Sequence, residues 1–247
     1  MAEKTVHIRF YEELNDFLAA EQVKKDLPFH FYNSPSVKDL IESFGVPHTE
    51  VDLILINGQP AGFEKQIKDQ DRISVFPKFE SLDISSISVL RGRPLRHLRF
   101  ILDVHLGKLA RYLRLCGFDT LYDNAYEDHK IVSISVSENR IILTRDIGIL
   151  KYSNVHHGYW LRSDQPGQQL REVIRRFDLK EQIHLFTRCM ECNGIIQPVE
   201  KRKVADALPE GTRRYYHAFY QCRQCGKIYW KGSHYHDMIK RIERLLA

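Results

Sequence analysis

The sequence predicts three folded parts: an N-terminal α+β module, an α/β domain on a parallel sheet, and a C-terminal zinc ribbon. Three observations predict it. Short alternating apolar runs surround one capped helix between residues 4 and 78. From residue 98 to 144 the apolar pattern reads strand, helix, strand, helix, strand, the order that gives parallel pairing with right-handed crossovers. Beyond that, Cys189-x-x-Cys192 and Cys222-x-x-Cys225 form two matched pairs. The chain's 247 residues allow more than one core. A hydrophobic share of 43% with 28% charged residues excludes a disordered or fibrous chain. No apolar run approaches transmembrane length, and residues 1–10 lack the basic-then-apolar order of a signal peptide. No membrane association is expected. A cytoplasmic setting is, because paired thiols persist there as metal ligands.

The N-terminal elements follow in order. Val6, Ile8 and Phe10 alternate as on a strand, and Leu27, Phe29 and Phe31 repeat the pattern. Ser36 reads as the cap of a helix that places Val37, Leu40, Ile41 and Phe44 on one face. Val51 to Gly58 is a strand running into a turn, and Asp71 to Pro77 is another strand. This β-β-α-β-β order resembles the ubiquitin-like β-grasp fold, in particular its small sulfur carriers. A carrier ends in a free Gly-Gly tail, whereas here Phe76-Pro77-Lys78-Phe79 runs on into further chain. The expected role is therefore a docking module for a protein partner. Residues 80–97 read as a linker, with Ser81, Ser85, Ser86 and the basic run Arg91-Gly92-Arg93-Pro94. The expected boundaries are 1–79, 80–97, 98–186 and 187–247.

The second domain opens with Leu98 to Leu102, a strand that delivers Asp103 at its carboxyl end. Leu106, Leu109, Ala110 and Leu113 then form the apolar face of a helix, with Lys108, Arg111 and Arg114 off that face. Gly117 ends the helix, residues 119–122 form a second strand, and Asp128 stands at the entrance of a helix over 129–138. Arg140 to Thr144 is a third strand, handing over to Arg145 and Asp146. In parallel sheets the reactive crevice lies beyond the carboxyl ends of the strands. Helix capping is the plainer occupation for an Asp. Asp103 and Asp146, both released by strongly apolar strands, favour a functional reading over that one. Clustered carboxylates repel unless a cation neutralises them, and oxygen ligands suit Mg²⁺ or Mn²⁺.

The cysteine pairs supply four thiolates, the closed tetrahedral shell of structural zinc. Two redox or disulfide pairs are the alternative, disfavoured by the odd thiol Cys116 and the expected reducing compartment. The pairs are separated by 29 residues, more than a usual ribbon allows, so a long loop is expected between them. A closed shell leaves no position for substrate and therefore builds a platform. Cys116 reads as a buried core thiol, and 238–246 as an amphipathic basic helix packing on the domain. His234 and His236 read as surface groups, since four sulfurs already fill the shell.

Several residues together resemble a known family: Phe100-Ile101-Leu102-Asp103, Leu106 through Arg114, and Leu143-Thr144-Arg145-Asp146. They look like the PIN-like ribonuclease domain named after the mutator-seven exonuclease C-terminus. In that family a zinc ribbon follows, and Cys189 to Gly194 and Cys222 to His234 are similar to it. A ubiquitin-like domain in front also occurs among its members. The resemblance implies a ribonuclease dependent on Mg²⁺ or Mn²⁺, with the acidic metal site carried onto Asp103, Asp128 and Asp146. It leaves His105 without an assigned role, and Asp123 and Asp164 as candidates for a fourth carboxylate.

The net charge of +5 is modest, but several Arg and Lys clusters around one acidic site favour a polyanionic substrate. Lys108, Arg111 and Arg145 are candidate contacts to an RNA backbone, with solvated faces as their plainer reading. In the ribbon, Tyr215, Tyr216, Phe219, Tyr220, Tyr229 and Trp230 alternate with Arg213, Arg214, Lys227 and Lys231, a composition suited to stacking on single-stranded RNA. For Phe219 and Tyr229 a core role, covering the metal, is the better expectation. The rival to a nuclease is a non-catalytic adaptor that binds RNA or the ribosome.

Overall fold

The computed structural model of the chain describes residues 2–77, 88–90 and 98–246. The expected linker thus lies outside the described residues except for Ser88 to Leu90. Ser88 Oγ donates to the Asp52 carbonyl at 2.5 Å, and Leu90 packs against the N-terminal core.

In chain order the N-terminal elements are β1 (Lys4–Phe10), β2 (Leu27–Phe31), α1 (Val37–Ser43), β3 (Val51–Ile56), β4 (Gln59–Pro60) and β5 (Arg72–Pro77). Their sheet runs β2-β1-β5-β3-β4, with β1 and β5 parallel and the other pairs antiparallel. This is the ubiquitin-like arrangement. The period-2 pattern of β1 puts Val6, Ile8 and Phe10 inward, each at most 2% exposed. The α1 helix covers that face with Val37, Leu40 and Ile41. Its start is a capping box: Ser36 Oγ accepts from Asp39 N at 3.1 Å, and Asp39 Oδ2 accepts from Ser36 N at 3.2 Å.

The chain continues with β6 (Arg99–Leu102), α2 (Gly107–Leu115), β7 (Asp119–Leu121), α3 (Asp128–Glu138), β8 (Ile141–Thr144), α4 (Ile147–Leu150), β9 (Gly158–Trp160) and α5 (Pro166–Arg176). It ends with β10 (Ile196–Val199), α6 (Lys201–Val204), α7 (Glu210–Tyr215), β11 (Phe219–Cys222), β12 (Ile228–Trp230) and α8 (Ser233–Leu246). As the apolar pattern predicts, β6 pairs with β7 in parallel; β8 pairs in parallel with β9, a strand that the apolar pattern does not place. The last three strands form an antiparallel sheet, β10-β11-β12.

Two compact units divide these elements: Met1–His97 with Val132–Trp160, and Leu98–Ile131 with Leu161–Ala247. Within the first, segment 151–160 is fastened to the β-grasp module. Trp160 N donates to Glu50 Oε1 at 2.7 Å, His48 Nε2 lies 2.8 Å from the Val155 carbonyl, and Lys151 Nζ donates to the Glu42 carbonyl at 3.1 Å. The Phe17 and Trp160 rings meet at 4.9 Å. Within the second, Phe100 is fully buried between Phe118 and Phe177, with ring centroids 6.3 and 5.6 Å away.

The α2 helix departs from expectation at one residue. Arg114 is 4% exposed and does not lie with the solvent-facing cations. Its guanidinium donates to the carbonyls of Thr120 (2.9 Å), Met190 (3.2 Å) and Glu191 (2.8 Å). Helical spacing finds the apolar stripe but not a charge whose acceptors lie elsewhere in the chain. The helix ends as Gly117 predicts, with φ +96°, and an added Cβ there would stand 2.4 Å from the His184 carbonyl. Its terminal carbonyls find partners downstream, Leu115 from Phe186 N at 3.0 Å and Cys116 from His184 N at 2.9 Å. Cys116 is fully buried, and burial pushes its thiol up to about 12.

Candidate metal centre and acidic residues

The two cysteine pairs converge. Cys189 Sγ lies 3.6 Å from Cys225 Sγ and Cys192 Sγ lies 3.4 Å from Cys222 Sγ. All four sulfurs stand within 4.8 Å of one another. Four ligands at the Zn–S distance of about 2.3 Å would be separated by about 3.8 Å, so the quartet fits a tetrahedral zinc ion. Each pair sits on a knuckle with the same backbone plan. Asn193 N donates to the Cys189 carbonyl at 2.9 Å and Gly226 N to the Cys222 carbonyl at 3.1 Å. The residue after each second cysteine takes a left-handed conformation: Asn193 at φ +67° and Gly226 at φ +74°. Asn and Gly are the residues that tolerate it. Gly194 fills the space between knuckles, where an added Cβ would lie 2.8 Å from Cys222 Sγ.

The thiols differ in their protonation. Burial pushes Cys192 up to about 12 and also raises Cys225. Burial raises Cys189 as well, but hydrogen bonds from Tyr229 and from the backbone of Cys192 and Glu191 outweigh it and bring it down to about 7. The Tyr229 hydroxyl is 3.0 Å from Cys189 Sγ, so this aromatic covers the metal site as its position in the ribbon suggests.

The first knuckle is bolted to the α/β layer beneath it. Asn193 Nδ2 donates to Asp119 Oδ1 at 2.8 Å, and its Oδ1 accepts from Thr120 N at 2.9 Å. Arg188 pairs with Asp119 Oδ2 at 3.2 Å. Arg114 holds the carbonyls of Met190 and Glu191, between the two cysteines. A zinc ion with four thiolates carries net negative charge, and Arg114 and Lys227 set positive charge beside it. Glu191 takes both Lys227 Nζ at 2.7 Å and Arg111 Nη2 at 3.0 Å, and its carboxyl is held low mainly by the Lys227 hydrogen bond. Sequence reading missed the anchoring roles of Arg114, Asn193 and Glu191. Asn193 alone carries a signal, matching Gly226 in a position that demands positive φ.

The three aspartates stand as follows. Asp103 leaves β6 at 7% exposure, and its Oδ1 accepts from Val104 N at 2.6 Å. Asp128 is the exposed first residue of α3. Asp146 is exposed after β8, and its Oδ1 accepts from Gly148 N at 2.7 Å. Asp103 and Asp128 belong to one compact unit and Asp146 to the other. Among the described residues, the four cysteines form the group of candidate ligands drawn within 4.8 Å. Next to Asp103, Tyr122 Oη donates to the Val104 carbonyl at 2.8 Å, and Gly107 leaves room for that phenol. His105 and Asp164 are exposed, as is Asp123, whose Oδ1 accepts from Ala125 N at 2.9 Å.

Of the basic candidates, Lys108 and Arg145 are exposed, while Arg111 is engaged with Glu191. The Arg145 carbonyl accepts the Trp160 indole N–H at 3.1 Å. Phe219 is 2% exposed in a small core with Val204 and Leu208, as its place in the ribbon predicts.

Comparison with known proteins follows the same division. The family model described as Mut7-C RNAse domain matches residues 98–242, and the one described as Mut7-C ubiquitin matches residues 3–83. Among solved structures, the chain is similar to the Haloferax volcanii HVO 2177 protein, known from a solution structure. That similarity is 18% identity over 32% of this chain and 88% of the other, with a TM-score of 0.27. No curated protein matches. Among the described residues no helix is long and apolar enough to cross a membrane.

Proposed function

Since this chain belongs to the Mut7-C RNAse domain family, we propose that it is a metal-dependent ribonuclease hydrolysing RNA phosphodiester bonds through Asp103, Asp128 and Asp146. The observation that carries this reading is the family match over residues 98–242, which takes in all three aspartates. An all-carboxylate donor set suits Mg²⁺ or Mn²⁺. Such a cation, when bound, supplies Lewis-acid neutralisation at a phosphodiester and lowers the pKa of a bound water.

The chain's own groups hold and orient. The bond from Val104 N fixes one oxygen of Asp103, and the bond from Gly148 N fixes one of Asp146, so neither carboxylate rotates freely. Lys108 and Arg145 are the exposed cations assigned to the RNA backbone, with Arg111 contributing from its pair with Glu191. The four cysteines hold zinc, which organises the ribbon and takes no part in bond cleavage. The β-grasp module serves as a docking surface for a protein partner, and the cytoplasm is the proposed setting.

The test is cleavage of a labelled single-stranded RNA with Mg²⁺ or Mn²⁺, comparing the native chain with Asp103→Asn and Asp146→Asn. Asn retains an oxygen for the Val104 or Gly148 N–H, so the fold and zinc content should be kept. Cleavage should fall by about 100-fold or more in each variant. Cleavage near the native rate in both would overturn the assignment. RNA binding without cleavage under either cation would favour the adaptor.

A further inference from the structure

The three-stranded ribbon sheet has two unlike faces. Strand alternation sends Phe219 to one face, where it closes a core with Val204 and Leu208 and is joined by Val199 and Ile228. Tyr220 goes to the other face. Register places Pro198 opposite Tyr220 and Tyr220 opposite Tyr229, so these three form a row across β10, β11 and β12. This row floors an open cavity of about 290 Å³, walled by Phe186 and Tyr235 and edged by Lys231.

We infer that this cavity takes an unstacked base of single-stranded RNA, with Lys231 on the neighbouring phosphate. The inference rests on the ribonuclease reading for its choice of RNA. Three features support it. The floor is a transverse row of flat rings on a sheet, the surface on which splayed bases stack. The walls are preset: Phe186 and Tyr235 already lie with centroids 4.2 Å apart, and Phe186 N is tied to the end of α2 through the Leu115 carbonyl at 3.0 Å. The floor is preset as well, since the Tyr229 hydroxyl rests 3.0 Å from Cys189 Sγ and fixes the ring on the metal cluster. The charge at the rim is complementary to a phosphodiester. Lys231 is exposed, with Nζ 5.8 Å from the Tyr235 centroid. An apolar pocket with one cation at its edge fits a nucleotide better than an apolar side chain, which gives that cation nothing to neutralise.

The test is binding of a 5′-labelled 12-nucleotide oligoadenylate to the zinc-loaded full chain, without added Mg²⁺ or Mn²⁺. An abasic ribose-phosphate chain of equal length serves as control. Tyr235→Ala and Tyr220→Ala should each weaken oligoadenylate binding about tenfold while leaving the weaker abasic binding unchanged. Lys231→Met should weaken both and reduce the salt slope by about one. Zinc content and far-UV circular dichroism report folding of each variant. Should a variant lose its fold, the native chain still decides: the abasic chain must bind about tenfold or more weaker than oligoadenylate. Equal binding of the two chains, or folded Tyr variants that bind oligoadenylate like the native protein, overturns the inference. Cleavage with an inert pocket would leave the nuclease standing and remove the pocket. Base-dependent binding lost in the Tyr variants, without cleavage, would do the reverse.

Discussion

Glu50, fully buried at the end of a short turn in the β-grasp module, accepts the backbone N–H of Trp160 at 2.7 Å, 110 residues away. The Trp160 indole in turn donates to the Arg145 carbonyl at 3.1 Å, next to Asp146. The N-terminal module thus reaches, through two hydrogen bonds, the backbone that carries one proposed catalytic carboxylate. Glu50→Ala should destabilise the chain by about 1–2 kcal/mol, because it removes the acceptor of a half-buried N–H. It should also lower the cleavage rate, whereas Glu50→Gln keeps an oxygen acceptor and should recover most of both. Thermal melts alongside the cleavage assay check this. An alanine variant with native melting would show that the link bears no load.

A buried cation holds the first knuckle. Arg114→Met removes donors to the carbonyls of Thr120, Met190 and Glu191 while keeping much of the packing volume. The expected loss is about 3 kcal/mol, accompanied by faster zinc release. Arg111→Ala, three residues earlier, breaks an exposed pair at 3.0 Å and should cost less than about 1 kcal/mol. Denaturant melts of both variants, with zinc release followed by a chromophoric chelator, separate the two cations. Equal effects would contradict the buried role of Arg114.

Gly194 leaves no room for a methyl group. An added Cβ would meet Cys222 Sγ at 2.8 Å and the Gln224 Cβ at 2.9 Å, both belonging to the opposite knuckle. Gly194→Ala should push the knuckles apart at a cost of about 2 kcal/mol and weaken zinc retention. Gly211, beside which nothing stands within 4 Å, is the matched control for Ala substitution. Metal analysis after dialysis reads the difference, and native zinc content in the Gly194 variant would refute the clash.

Zinc affinity should be steep in pH. In the metal-free chain burial raises Cys192 to about 12 and raises Cys225, so both are protonated near neutrality. Thiolates are the ligands, so binding expels at least these two protons and weakens as pH falls, by about a hundredfold or more per pH unit. Cys189, brought down to about 7, adds a further proton below that pH. Chelator competition at pH 6, 7 and 8 measures the slope. A slope near tenfold or less would mean that the thiols are already ionised.

Local chemistry was legible, and long-range pairing was not. Ser36 and Asp39 announce a helix start because both partners of the capping box lie within one turn. The cysteine pairs announce a metal because each knuckle is built by its own six residues. Asp103 is legible as the residue that an apolar strand releases. Arg114 is not, since its acceptors at Met190 and Glu191 lie 76 and 77 residues onward and helical spacing places it with solvent-facing cations. Glu50 is hidden for the same reason. The ribbon aromatics were partly legible: Phe219 reads as core, but only strand register aligns Pro198, Tyr220 and Tyr229 in one row.

Asn193 has a further consequence for the metal-free chain. By taking the Thr120 N–H at 2.9 Å, it occupies a backbone donor of β7 that does not serve the pairing with β6. An unoccupied strand flank of this kind is a template on which another extended chain can add. Zinc, by keeping the knuckle shut over β7, would keep that flank covered. Depletion of the ion should increase aggregation through this strand before the β-grasp module melts.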